Sequence, residues 1–92
     1  MAQGQAVSEP MPVYFIHVYQ RGRLAKDKEG KHFADLKAAE GEAIKAAREM
    51  AAQNVRAGKI LDLASRLEIV DGNGKLVSVV TFKDAIPIRD RP

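Results

Sequence analysis

Residues 66–82 read RLEIVDGNGKLVSVVTF, two β-branched runs on either side of Asp71-Gly72-Asn73-Gly74. Gly and Asn tolerate the positive φ of a tight reversal, so the pattern predicts a β-hairpin with strands over 66–70 and 76–82. Side chains alternate along a strand, which places Leu76, Ser78, Val80 and Phe82 on one face and Val77, Val79 and Thr81 on the other. Both sets are largely apolar, the mark of a strand covered on its two sides.

Toward the N-terminus, Val13–Tyr19 (VYFIHVY) is β-branched and aromatic throughout and reads as a central strand bounded by Pro12 and by Arg21-Gly22. Val13, Phe15, His17 and Tyr19 share one face; Tyr14, Ile16 and Val18 share the other. A short edge strand around Leu24 follows, with Asp27–Gly30 as a turn and its Lys and Arg suited to an exposed edge. From Asp35 the period changes. Asp35 is a good N-cap, its carboxylate accepting from first-turn amides, and Gly58 a good terminator. At about 100° per residue the intervening chain gathers Leu36, Ala39, Ala43, Ala46, Ala47, Met50 and Ala57 into one stripe. Lys37, Lys45, Arg48 and Arg56 fall on the outer side, where Gly41 weakens the helix without evident packing reason. Ile60, Leu61 and Leu63 form an apolar connector expected to close one end of the core.

The expected architecture is α+β, in the order β-β-α-β-β: an antiparallel sheet of about four strands with one helix on one face. Ninety-two residues suit one core, placed at 12–88, with 1–11 expected as a disordered leader and 89–92 as a flexible tail. With 46% hydrophobic and 29% charged residues the chain has a globular rather than a disordered composition. It contains no Cys, which excludes a disulfide framework and thiolate zinc sites and fits a cytoplasmic setting. No apolar run is long enough for a membrane span, and residues 1–10 lack the regions of an export signal. A net charge of +3 permits a nucleic-acid partner without demanding one.

Met11-Pro12-Val13-Tyr14-Phe15-Ile16-His17, the Asp35-Leu36 helix start, Leu61-Asp62-Leu63, and Val70–Gly74 leading to Thr81-Phe82-Lys83-Asp84-Ala85 together resemble a family of small bacterial proteins of unknown function. Its members begin M-P-x-Y-F-x-H and close with a strand ending F-x-D-A. The resemblance spans about residues 11–86, implies Met11 as the family-typical start, and brings no activity with it. The 28–35 stretch KEGKHFAD departs from the more acidic or apolar turn of its relatives.

The residues themselves supply no catalytic set. Asp71-Gly72-Asn73-Gly74 imitates the opening of a calcium loop, but the position requiring a bidentate Glu is Phe82, so it reads as a turn. Ser65 and Ser78 lack a nucleophile-elbow context, and no glycine-rich phosphate cradle is present. Asp27, beside Glu29, sits among lysines in an exposed turn, a setting that keeps it ionised rather than poised for acid chemistry. His17 and His32 alone make a poor metal set, so no metal and no cofactor is expected. Two sets of residues hold binding content. Tyr14, His17 and Tyr19 mark a buried polar site or a subunit contact, because a lone helix cannot shield both faces of doubly apolar strands. Arg21, Arg23, Lys28, Lys31, Lys45 and Arg48 are candidate phosphate contacts. The sequence therefore points to a non-enzymatic interaction or regulatory domain, homodimeric through its sheet, with a protein partner open; the alternative is a weak nucleic-acid binder using the basic hairpin and helix face.

Overall fold

A computed structural model describes residues 11–87; the rest of the expected leader and the expected tail at 89–92 lie outside the described residues. The elements are β1 (Val13–Gln20), β2 (Arg23–Ala25), β3 (Lys31–His32), α1 (Leu36–Arg56), β4 (Arg66–Asp71), β5 (Leu76–Thr81) and α2 (Phe82–Ala85). The antiparallel sheet runs β2-β1-β4-β5, and β3 shares the outer edge of β1 with β2. The α+β class holds. The expected single edge strand is two short pieces, giving five strands in the order β-β-β-α-β-β before a closing turn of helix.

Each reversal follows from its residues. Arg21 and Gly22 both have positive φ, +53° and +74°, the condition for a two-residue turn that matches strand twist, so β2 folds straight back on β1. In the β4–β5 loop the Asp71 carboxylate accepts from the Asn73 and Lys75 amides, each at 2.9 Å. Gly74 takes φ +84°, and the stretch is a turn, as its residues predict.

α1 starts where Asp35 Oδ1 accepts from the Ala38 amide at 2.9 Å and ends at Ala57, with Gly58 left-handed behind it. Its buried row is Ala39, Ala43, Ala47 and Ala51 at a four-residue interval, so the backbone lies close over Leu67, Ile69 and Val80. Ala57, expected in this stripe, is exposed because it is already the cap. Arg48 is not a free outer cation: its Nε donates to Ala85 O at 2.7 Å, tying α1 to α2.

Two further differences come from β5. A register shift opposite Ile69 and Val70 pairs Val70 with Leu76 and leaves Val77 over, a β-bulge. Val77 consequently packs toward the core beside Ser78, whose hydroxyl donates to Glu40 of α1 at 2.6 Å. Leu76 is transferred to the opposite face, the reverse of strict alternation. The strand also stops at Thr81, whose Oγ1 caps α2 by accepting from Asp84 N. Phe82, 0% exposed, thus begins α2 and plugs the core end, its amide held by Ser65 O at 2.8 Å. Leu61 and Leu63 pack against that core, whereas Ile60 stands 83% exposed.

Candidate functional site

Tyr14, Ile16 and Val18 point under α1. Among the described residues no helix lies over the other face of the sheet. Reading across by strand register, it carries Val13, Phe15, His17 and Tyr19 of β1, Leu24 of β2 opposite Tyr19, and Arg66, Glu68 and Val70 of β4. On β5 it continues through Val79 and Leu76. The β1 side chains are half-buried, while Leu24, Leu76 and Val79 are 42%, 51% and 43% exposed. Of the three residues expected at a polar site or contact, His17 and Tyr19 lie on this face; Tyr14 lies on the helix side, its ring 6.2 Å from Phe33.

The middle of the face is polar and internally organised. Arg66 Nε donates to Glu68 Oε2 at 2.8 Å, and its guanidinium carbon stands 4.0 Å from the Tyr19 ring centroid, a cation–π contact. His17 is in register with Glu68. His17 Nδ1 accepts from the Asp27 amide at 3.0 Å, so in the neutral ring the proton sits on Nε2.

Asp27 fills the interval on the edge of β1 that neither β2 nor β3 pairs. Its Oδ2 accepts from Ile16 N at 3.2 Å, and its Oδ1 accepts from Glu29 N and Gly30 N at 3.1 and 3.0 Å. Partial burial pushes this carboxyl upward, but hydrogen bonds from the Gly30, Ile16 and Glu29 amides, with His17 nearby, outweigh burial and hold it below its ordinary value. Main-chain donors, rather than the neighbouring lysines, keep Asp27 ionised. Gly30, at φ +72°, lets the loop settle on Phe15: a Cβ there would stand 2.7 Å from the ring.

The six candidate phosphate contacts do not form one surface. Arg21 and Arg23 meet Gln20, Asn54 and Lys59 around a cleft of about 410 Å³. Lys31 pairs with Tyr14 at the far end of β1, about 20 Å away at about 3.3 Å per residue, and its ammonium lies 5.5 Å over the Phe33 ring. Lys28 belongs to the same distant loop, Lys45 is exposed on α1, and Arg48 is held by Ala85. Lys59, which sequence reading passed over, joins Arg21 and Arg23 because the chain leaving α1 turns back beside the β1–β2 reversal.

His17 and His32 do not converge, since His32 Nδ1 donates to Met11 O at 2.8 Å while His17 serves Asp27. Among the described residues no three His, Asp or Glu gather closely enough to hold a metal ion, and no helix is long and apolar enough to cross a membrane. Compared with known proteins, residues 13–83 match the family model described as a domain of unknown function (DUF6894). No curated protein and no solved structure matches.

Proposed function

The chain belongs to the DUF6894 family, and from that premise we propose that it is a non-enzymatic interaction domain that pairs with a second copy of itself through the open face of its sheet. One observation carries the reading: α1 covers a single face, while Phe15, Tyr19, Leu24, Val70, Leu76 and Val79 give the other an apolar surface around a polar centre. Scattered exposed apolar residues need no explanation, but a contiguous set on one face favours a partner.

A second copy is favoured because the centre is self-complementary. Arg66 and Glu68 carry opposite charges two residues apart on the same face. A two-fold axis between them sets Arg66 of one copy against Glu68 of the other, doubling the ion pair without stranding a charge. The apolar residues ring a charged centre instead of filling one continuous core, so the pairing is expected to be weak, with a Kd of about 1–100 µM. We place it in the bacterial cytoplasm, on the family resemblance and the absence of Cys. Binding of nucleic acid along the hairpin and helix draws less support, because its six basic residues are dispersed over the molecule.

Sedimentation velocity from about 1 µM to about 1 mM tests this, a span that covers the expected Kd. A concentration-dependent shift from monomer to dimer, abolished by Val79→Arg with the fold intact by circular dichroism, is expected. A monomer throughout that range refutes the reading.

A further inference from the structure

We infer a second site, independent of the sheet face: the cleft where the β1–β2 turn meets the end of α1 takes a small phosphorylated ligand and grips it by its phosphates. The cleft is lined by Gln20, Arg21, Arg23, Asn54 and Lys59 and has a volume of about 410 Å³, within the range of small-molecule sites. Its lining holds three cations and no carboxylate. Among the described residues the one ion pair is Arg66–Glu68, so Arg21, Arg23 and Lys59 have no acidic partner there. Asp62 lines the adjoining cleft with Arg21 and Lys59, its Oδ1 accepting from the Ala64 amide at 3.0 Å; one carboxylate beside three cations leaves an excess of positive charge, which a multiply charged anion lowers. The carbonyl end of α1 offsets only part of it, being worth about half a charge.

The Arg21 side chain and the Lys59 backbone are also positioned before any ligand arrives. Arg21 is the one non-glycine residue with positive φ among the described residues, fixed there by the two-residue turn. One guanidinium nitrogen donates to Ile60 O at 3.3 Å, leaving further donors of the fork for a phosphate. Lys59 N donates to Asn54 O at 2.9 Å, holding those two lining residues together. The Gln20 and Asn54 amides add neutral donors. No aromatic ring lines the cleft, so a nucleobase has nothing to stack on, and the basic track does not continue along β1. Both features favour a small polyphosphate over a nucleic-acid strand.

The test is an amide-resolved NMR titration of the whole chain at constant ionic strength, with pyrophosphate as probe and a short single-stranded oligonucleotide and phosphatidylglycerol vesicles as separate arms. Saturable shifts with pyrophosphate at residues 20–23, 54 and 59 are expected. Arg21→Gly is the discriminating variant, since glycine relaxes the left-handed backbone while deleting the cation. It keeps or raises thermal stability yet weakens pyrophosphate about tenfold or more, the value of a charged hydrogen bond, and Lys59→Gln does likewise. Linear shifts spread over all lysines, or an unchanged titration in Arg21→Gly, overturn the site. Tighter engagement of the same amides by the oligonucleotide or the vesicles than by pyrophosphate overturns the small-ligand assignment in favour of that source.

Discussion

Replacing Asp27 by Ala removes a carboxylate that stands in for missing strand partners, without touching the Asp27 amide that serves His17. Three main-chain donors lose their acceptor: Ile16 N, Glu29 N and Gly30 N. The Glu29 amide is exposed and turns to water at little cost. The other two are partly buried, and at roughly 1 kcal/mol each the loss comes to about 2 kcal/mol. Urea unfolding followed by circular dichroism reads this as a midpoint lowered by about 2 M, given a slope near 1 kcal/mol/M for a chain of this size. Asn at the same position recovers part, since its carbonyl keeps the turn while its NH2 opposes the Ile16 donor. Acid supplies an independent check. Because the folded carboxyl is held below its ordinary value, the part of its contribution that depends on the charge is complete above the unfolded value of about 3.9 and disappears as pH falls through the folded value. The wild-type and Asp27→Ala curves therefore draw closer as pH falls below about 4. An Ala variant within about 0.5 kcal/mol of wild type at neutral pH, or two curves that stay parallel into acid, refutes the reasoning.

Three other substitutions test separate parts of the fold. Gly30→Ala forces a side chain into φ +72° with its Cβ 2.7 Å from the Phe15 ring, and thermal unfolding should register a loss of about 1–3 kcal/mol. Gly41→Ala meets nothing within 4 Å on the exposed side of α1 and should stabilise by about 1 kcal/mol in the same assay. Ser78→Ala removes the hydroxyl bound to Glu40; chemical denaturation should show about 1 kcal/mol lost, with no further loss when Glu40→Ala is added.

The fold was legible wherever local chemistry and period agreed. The Asp35 cap, the Gly58 stop, the alanine stripe and the Gly-Asn-Gly reversal each carry a residue-level cause that acts within a few positions. The bulge at Val77 left no such trace: nothing in LVSVV distinguishes a strand that slips by one from a regular one, and the shift appears only when β5 is matched to the shorter stretch of β4. Strict alternation then assigns Leu76 and Val77 to the wrong faces. Phe82 misleads in a related way, since a β-prone aromatic continues the strand pattern while Thr81 in fact caps a helical turn. At the candidate sites, His17 and Tyr19 followed from one strand's period, but Lys59 reached Arg21 and Arg23 through tertiary proximity. Asp27 did leave a signal, Asp followed three residues later by Gly, which marks a side chain folding its own loop.

The alanine row of α1 has a thermodynamic corollary. A helix seated on the sheet through methyl groups at Ala39, Ala43, Ala47 and Ala51 hides little hydrocarbon per residue, so unfolding releases little apolar surface to hydration. Calorimetry should accordingly find a heat-capacity increment below the usual value of about 12–15 cal/mol/K per residue and a shallow dome of free energy against temperature. The stability of such a molecule then varies little between a cold day and a warm one.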